Sequence, residues 1–355
     1  MRIPWAIPNI QKEDKEAVQK VLRSGWLSMG EEVKTFERHM SAYLGIQFAV
    51  AVNNGTSALD VALKCLGITE EDEVIIPALT YIATGNAVLY NNAKPVFVDI
   101  DETLNIDPTR IEEKITQKTK AIINIDLGGN ASNYRELQRI SWQYDLPLIV
   151  DGAQSLGSEY QGVKCCTHGL INTTSFHAAK ILTTIEGGMV FTNNKKMYLQ
   201  AQALRNQGDI SKFDHRYLGN NYRITDLVAA IGNAQIKRIK ETLETRRKKA
   251  RYYREGLRDV RFPNELQNTV NSHFFFLILT EGRNNLNIYL NKNGIDTRIT
   301  YPKPINEQPL FRHFSKETCP VAKKISQQVI SLPLFHALTR NQQDYIIKKI
   351  NTFKR

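Results

Sequence analysis

Short β-branched apolar runs alternate with helix-like stretches between about residue 46 and residue 200. The intervening segments, such as TSALDVALKCLG and NYRELQRISWQY, place apolar residues three and four positions apart, which is typical of amphipathic helices. This alternation predicts an α/β fold built on a mostly parallel sheet. The strand candidates are Phe48–Val52, Glu73–Ile76, Pro95–Ile100, Lys120–Ile125, Pro147–Val150 and Gly188–Thr192.

Polar side chains lie at the ends of several of these strand candidates. They are Asn53, Asp99, Asp126 and Asp151. Because ligands of parallel α/β sheets bind at the carboxyl ends of the strands, these positions predict a functional site along that edge of the sheet.

The sequence changes character after Ile236. A long charged stretch leads to the apolar run NSHFFFLILT, a proline-punctuated loop YPKPINEQP and two terminal helical stretches. A chain of 355 residues is long enough for a large domain and a smaller one. We predict a large domain over residues 1–239 and a smaller α+β domain over residues 240–355, with the N-terminal segment packing on the small domain.

The formal net charge of +11 is compatible with a nucleic acid, a membrane surface or an acidic small substrate as partner. The densest basic run, KRIKETLETRRKKARYYR, has apolar and aromatic positions that fit a long helix with one solvated basic face. No nucleic-acid motif accompanies it. We therefore expect no nucleic-acid partner. The positive electrostatic field of the protein favours a diphosphate substrate.

Neither a membrane nor an export segment is predicted. No apolar stretch reaches the roughly 18 residues of a spanning helix, and the N-terminus lacks the apolar core of a signal peptide. A cytoplasmic location is expected. The four cysteines show no disulfide or zinc spacing, so reduced thiols and no metal site are expected.

The segment SFHAAK, which ends at Lys180, is followed by ILTTIEGG. A lysine after a short loop of small residues is a candidate nucleophile toward a carbonyl, although an isolated lysine is usually a solvated surface residue. Upstream, an apolar strand ends at Asp151 in VDGAQS. A pyridoxal-phosphate (PLP) enzyme needs such a carboxylate against the pyridine nitrogen, whereas a helix cap is the alternative role for this aspartate.

The segment NNGTSALDVAL joins a strand to an amphipathic helix. The helix N-terminus offers free N–H groups to a phosphate, Gly55 permits close approach, and Thr56 and Ser57 add hydroxyl donors. A simple hydroxyl cap is the alternative. The pattern is neither a Walker loop nor a GxGxxG fingerprint.

In their order along the chain, these motifs resemble the DegT/DnrJ/StrS family of PLP-dependent nucleotide-sugar aminotransferases. The resemblance runs through the whole chain, and it implies the aspartate aminotransferase fold, type I, with a mostly parallel seven-stranded sheet flanked by helices. The matching segments include SGWLSMGEEVKTFE, NNGTSAL, IIPALTYIATGNAV, VDGAQSLGS, SFHAAKILTTIEGG, NNYRITDLVAAIG and GIDTRITYPKPINEQP.

The resemblance also implies roles for individual residues. Lys180 would bond covalently to PLP and move the proton, Asp151 would pair with the pyridinium, and Gln154 would contact the phenolic oxygen. Tyr81 would stack on the ring. The phosphate would be held by Gly55, Thr56, Ser57 and Ser175 and, from a neighbouring subunit, by Asn221. The substrate would contact His177, Arg223 and Tyr301.

Two segments depart from the family pattern. Many relatives have V-H-x-Y-G after the fourth strand, where this chain reads IDLGGN with Asp126 and Gly128. Asn306 stands where a histidine is usual in P-L-H-x-Q-P. The first segment is expected near the substrate, so sugar specificity or amino-donor contacts are expected to differ. His177 either orients substrate or is merely structural.

The expected function is transfer of an amino group from L-glutamate to a nucleotide-linked keto sugar by a homodimer with shared active sites. The S-F-H-x-x-K form resembles members that aminate C-4 of a 4-keto-6-deoxy hexose, in preference to C-3. The product would enter a surface polysaccharide, glycan or antibiotic. Alternatives that stay open are a PLP-fold regulatory protein without turnover, another PLP-dependent sugar-modifying enzyme, and a basic nucleic-acid-binding protein.

Overall fold

Seven strands form one sheet in the computed structural model, which describes residues 2–314 and 318–353. The strands are β1 Phe48–Val52, β2 Glu73–Pro77, β3 Lys94–Val98, β4 Thr119–Ile125, β5 Leu148–Asp151, β6 Ile171–Ser175 and β7 Gly188–Thr192. Their spatial order is β3-β2-β4-β5-β6-β7-β1. All neighbouring pairs are parallel except that β7 runs antiparallel to β6 and β1. The predicted mostly parallel seven-stranded sheet is therefore confirmed.

Strand β6 was not among the strand candidates, because its sequence, INTTS, is mostly polar. The strand is nevertheless central and mainly buried. Its polar side chains find backbone partners: Asn172 donates to the carbonyl of Gly169 at 3.1 Å and Thr174 to that of Gly152 at 3.1 Å. Hydrogen bonding of this kind removes most of the penalty for burying polar groups.

Helices cover both faces of the sheet. They are α1 Lys12–Ser24, α2 Glu31–Leu44, α3 Gly55–Cys65, α4 Ile82–Tyr90, α5 Tyr134–Gln143, α6 Lys195–Arg205 and α7 Asp226–Ile236. Along β1, Val50 and Val52 point into the core beneath α3, α4 and α6, whereas Ala49 and Ala51 point into the core beneath α2 and α7. Helix α5 covers a third apolar cluster against β2, β4 and β5.

The C-terminal region is a smaller α+β arrangement. Its two strands, β8 Phe276–Leu279 and β9 Val329–Leu332, pair antiparallel. The apolar cluster of this region includes Tyr253, Leu290 and Ile346. Its helices are α8 Ile239–Gly256, α9 Arg283–Lys292, α10 Pro320–Gln328 and α11 Arg340–Asn351.

Other short strands form small sheets separate from the seven-stranded sheet. One small sheet joins Glu159–Tyr160, Val163–Lys164 and Thr269–Val270, and a two-stranded ribbon joins Asp209–Ser211 to Asp214–His215.

The two regions share apolar clusters near the predicted domain boundary. Ile239 and Leu243, in the first turns of α8, pack with Phe36 and Phe176 of the large region. The N-terminal segment contacts the C-terminal region: the Ile3 amide donates to the Gly294 carbonyl at 2.7 Å. The division at residues 239 and 240 stays a prediction, and its outer limits, residues 1 and 354–355, lie outside the described part.

The basic helix α8 is only partly solvated. Arg246 is 9% exposed, and its guanidinium donates to the carbonyls of His273 and Phe274 at 2.8 and 2.9 Å. The basic residues of α8 were predicted to form one solvated face, but Arg246 is buried and connects the helix to the chain that enters β8. In the described ranges, no helix combines the length and apolar character needed to cross a membrane.

Candidate active site

A cavity of about 1210 Å³ opens at the carboxyl ends of the parallel strands, between the large region and the C-terminal region. Ten of the twelve predicted site residues line it, and Asn221 and Arg223 do not. The ten are Gly55, Thr56, Ser57, Tyr81, Asp151, Gln154, Ser175, His177, Lys180 and Tyr301.

The turn before α3 lies against the end of β6. Asn54 caps the helix by accepting a hydrogen bond from the Ser57 amide at 2.8 Å. A Cβ atom on Gly55 would lie 2.8 Å from Cβ of Ser175, so glycine is needed for this close approach. The helix N-terminus and the Ser175 hydroxyl consequently border the same part of the cavity, which suits a phosphate.

The loop after β6 places Lys180 in the cavity. The Lys180 amide donates to the His177 carbonyl at 2.8 Å, and the loop closes where the Thr184 amide donates to the carbonyl of the fully buried Phe176 at 2.9 Å. The Lys180 Nζ atom lies 4.3 Å from the centroid of the Phe274 ring. Loss of contact with water lowers the pKa of Lys180 to about 8, although the Asp151 carboxylate opposes this shift.

Asp151 ends β5 and is 8% exposed. Burial raises the pKa of its carboxyl to about 6, against the opposing effects of the Ala153 amide, which donates to it at 3.0 Å, and of the Lys180 charge. A buried carboxylate with a raised pKa is stabilised by a cationic partner. The pyridinium of PLP would be such a partner, so the donor set fits this cofactor.

Gln154 is held at both ends of its amide. Its Oε1 accepts from the Gly128 amide at 2.8 Å, and its Nε2 donates to the Tyr301 hydroxyl at 3.1 Å. The rings of Tyr301 and Tyr81 have centroids 6.1 Å apart, and Tyr81 is 58% exposed. Gln154 and these two aromatic rings therefore form a continuous stretch of the cavity wall.

His177 is exposed at the cavity. Its Nε2 lies 3.7 Å from Oε1 of Glu186, and its Nδ1 accepts from the Ala179 amide at 3.2 Å. Because one ring nitrogen is held by the loop, the ring has a defined orientation beside Lys180.

Asn221 and Arg223 lie outside the cavity of their own chain. Asn221 is exposed and pairs through a backbone bridge with Asn206, whose side chain accepts from Arg223 at 2.6 Å. Tyr222, which was not predicted, lines the cavity and donates to the Asp60 carboxylate at 2.9 Å. Its position between two predicted residues was the available signal.

Asp126 is turned away from the cavity. Its carboxylate is fully buried and accepts from the Tyr134 hydroxyl at 2.6 Å and from the Ser132 amide at 3.0 Å. In the same segment, Gly128 has a φ of +68° and accepts at its carbonyl from the Phe275 amide at 3.2 Å. The IDLGGN segment therefore borders the cavity directly at Ile125 and contacts Phe275, which also lines it. Asn306 is buried without lining the cavity.

Apart from Tyr301, sequence reasoning missed the wall that the N-terminal segment and the C-terminal region contribute. This wall includes Trp5, Phe274, Phe275 and Arg298. The phenylalanines lie in the apolar run NSHFFFLILT, which reads as core rather than as a site. Pairing of residue 5 with residue 298 has no local sequence signal.

Known proteins resemble this chain over nearly its whole length. The sequence model of the DegT/DnrJ/EryC1/StrS aminotransferase family matches residues 8–351. The chain is 36% identical to a GDP-perosamine synthase of Escherichia coli O157:H7, over 99% of this chain and 98% of that one. It is 33% identical to a dTDP-3-amino-3,6-dideoxy-alpha-D-galactopyranose transaminase of Aneurinibacillus thermoaerophilus, over 97% and 96%.

Solved structures of sugar aminotransferases are also similar to this chain. The PLP form of a putative sugar aminotransferase from Streptococcus pneumoniae superposes with a TM-score of 0.93 at 29% identity, covering 99% of this chain and 98% of that one. The chain belongs to the DegT/DnrJ/EryC1/StrS aminotransferase family of PLP-dependent enzymes.

Proposed function

We propose that this aminotransferase moves the amino group of L-glutamate to a nucleotide-linked 4-keto-6-deoxy hexose. The observation that carries the proposal is the convergence of Lys180, Asp151 and the N-terminus of α3 on one cavity. Three separate strands deliver these groups, so the order of the motifs along the chain becomes an arrangement in space.

Bound PLP supplies an electron-accepting ring that stabilises negative charge at the carbon losing its proton. In this proposal the free N–H groups of α3 hold its phosphate, with the Ser175 hydroxyl as a second donor. Tyr81 is exposed enough to stack on its ring. Gln154, already fixed by Gly128 and Tyr301, is positioned to donate toward its phenolic oxygen.

Lys180 is the group that holds and moves the proton. A pKa of about 8 leaves roughly a tenth of its amine neutral at pH 7, far more than in an ordinary lysine, and the neutral amine is the form that acts as a nucleophile and base. Asp151 keeps the ring nitrogen protonated because its buried carboxylate is stabilised by a neighbouring positive charge. The two groups thus act on opposite ends of the same ring.

The sugar assignment rests on three features. The net charge of +11 favours a diphosphate-linked substrate, and both curated relatives carry the names of nucleotide-linked sugars. His177 at the cavity lies in the S-F-H-x-x-K form that favours amination at C-4 over C-3. The product would be an amino sugar for a surface polysaccharide, glycan or antibiotic.

The experiment is a two-stage assay on the PLP-loaded protein. L-glutamate should shift the cofactor absorbance band and release 2-oxoglutarate, after which a keto-sugar nucleotide should restore the original band. A panel of UDP-, dTDP- and GDP-linked 3-keto and 4-keto sugars, with NMR of the product, locates the new amine. No spectral response to glutamate rules out this donor, and amination at C-3 overturns the C-4 assignment.

We also infer a homodimer with shared active sites. Asn221 is exposed and lies outside the cavity of its own chain, which suits a donor to the cofactor phosphate of a partner. Mixing inactive Lys180→Ala and Asn221→Ala subunits should restore part of the activity, because one site in each mixed dimer would be intact. Absence of any recovery in mixed dimers isolated by two different affinity tags contradicts shared sites.

A further inference from the structure

Arg298 presents an exposed guanidinium on the wall contributed by the C-terminal region. In the described part of the chain, the cavity is lined by only one lysine and one arginine, Lys180 and Arg298. No salt bridge or side-chain hydrogen bond engages the Arg298 guanidinium within residues 2–314 and 318–353, and its ring contact is with Trp5 at 5.6 Å. Lys180 is committed to the proposed chemistry, so Arg298 is the remaining strong cation for an anionic substrate group.

A single buried residue fixes the position of this cation. Ser331 in β9 is fully buried, and its backbone exchanges two hydrogen bonds with Arg298 at 3.1 and 2.8 Å. The Ser331 hydroxyl also accepts from Nε1 of Trp5 at 3.0 Å. The indole and the guanidinium are thereby held to the same strand, in a cation–π arrangement.

The Trp5 ring and the backbone just before Arg298 are also held in place. The Trp5 ring packs against the ring of Phe275 at 5.6 Å, and the N-terminal segment pairs with the chain just before Arg298, where the Asp296 amide donates to the Ile3 carbonyl at 2.9 Å. The backbone that carries the guanidinium is therefore set before substrate arrives, which reduces the entropy lost on binding.

We propose that Arg298 binds the diphosphate of the nucleotide-linked substrate, an inference that rests on the proposed function. Asp151 is buried and Lys180 is half-buried at the end of the cavity where the amino donor must react, whereas Arg298 is exposed to solvent. A diphosphate lies outside the reacting sugar and matches the two-pronged donor geometry of a guanidinium. The donor carboxylates would have to lie closer to Lys180.

The test uses PLP-loaded wild type and Arg298→Gln, with GDP, dTDP and UDP as probes in titration calorimetry. Loss of a charge-assisted contact should weaken binding of the preferred nucleotide by about tenfold to a hundredfold. Arg298→Lys should recover part of this affinity, since it restores the charge without the fork. The KM for the keto sugar should rise in parallel while kcat stays within about twofold.

The matched control is Arg110→Gln, which removes an exposed arginine that does not line the cavity. The Nη1 atom of Arg110 lies 3.9 Å from Oε1 of Glu113. Its nucleotide affinity should equal that of wild type. Unchanged nucleotide affinity in Arg298→Gln overturns the proposal. An equal loss in the rate of the glutamate half-reaction assigns the cation to the donor carboxylate instead. The wild-type response to glutamate, measured first, separates failure of this inference from failure of the proposed function.

Discussion

The cavity has two walls that are built in different ways. The cofactor wall, defined as Gly55, Asp151, Ser175 and Lys180, comes from the ends of three sheet strands and the elements that follow them. The substrate wall, defined as Trp5, Phe275, Arg298 and Tyr301, comes from the N-terminal segment and the C-terminal region. The first wall belongs to the large sheet, and the second is held together by contacts with β9 and by packed rings.

The electrostatics of the two walls differ as well. On the cofactor wall, burial shifts the pKa of Lys180 downward and that of Asp151 upward, so both groups are poised to exchange protons or charge. On the substrate wall, the Arg298 guanidinium is exposed and rests against an aromatic ring. The difference teaches that the chemistry and the recognition of substrate can be changed separately in this molecule.

The largest expected effect is on the cofactor wall. Lys180→Ala removes the group that holds the proton, so kcat should fall by more than about a thousandfold. Steady-state assay of amino transfer, with cofactor content measured by absorbance, checks this. Retention of more than a few per cent of the activity would remove Lys180 from the central role.

Lys249→Met is a matched control for that variant. Burial also lowers the pKa of Lys249 to about 8, but its amine donates to the carbonyls of Phe335 and His336 and does not line the cavity. The variant should lose stability and keep kcat within about threefold, because a perturbed pKa alone does not confer a role in chemistry. Equal losses of kcat in both variants would contradict the distinction.

Asp151→Asn should act in opposite directions on function and stability. Without the carboxylate, PLP affinity should fall by about tenfold or more, since the pyridinium loses its charged partner. The cofactor-free protein should instead gain up to about 3 kcal/mol at pH 7.5, because the wild-type carboxyl is ionised there against a pKa raised from 3.8 to about 6. Cofactor titration and urea unfolding of the cofactor-free proteins measure the two effects.

The sign of the pH dependence follows from the same shift. Between pH 3.8 and about 6 the folded state keeps a proton on Asp151 that the unfolded state releases, so this group lowers the free energy of unfolding as pH rises through that window. The Asn variant should lack this contribution. Asp126→Asn is the contrasting control: its carboxylate is satisfied by Tyr134 and Ser132, so the variant should be destabilised at pH 7.5. A loss of stability in Asp151→Asn matching that of Asp126→Asn would contradict the assignment.

The sequence predicted the cofactor wall far better than the substrate wall, for a physical reason. Gly55, Asp151 and Lys180 each lie in a short motif at a strand end, and a parallel sheet brings strand ends together. Trp5 and Arg298 are brought together by their hydrogen bonds to Ser331 in β9. In the sequence, Ser331 looks like an ordinary strand residue. Long-range packing of this kind leaves no periodic or local pattern.

The same dependence on long-range packing explains where the predicted and observed structures differ. Strand β6 was missed because buried threonines and an asparagine look like loop residues until their partners are known. The IDLGGN segment, with Asp126 and Gly128, was expected near the substrate, yet the Asp126 carboxylate is turned away from the cavity and accepts a hydrogen bond from Tyr134. The chemistry of a polar residue was predictable there, but the direction of its side chain was not.

The smallest expected effect lies at the border of the cofactor wall. Tyr222 donates to the buried Asp60 carboxylate, which also accepts from Lys64 at 2.8 Å and from Asn91 at 3.0 Å, and this network joins α3 to the loop that carries Asn221.

Tyr222→Phe removes one hydrogen bond and leaves the ring, so the phosphate turn should become less well positioned. PLP affinity should fall by about threefold to tenfold, which corresponds to the 0.5–1.5 kcal/mol typical of a single hydrogen bond. Tyr90→Phe is the control, since Tyr90 also lines the cavity and is 58% exposed. Fluorescence titration with PLP compares the two variants. Equal affinities would show that the hydroxyl of Tyr222 does not position the cofactor wall, whereas loss in Tyr222→Phe alone would extend that wall beyond the strand ends to the 220–223 loop.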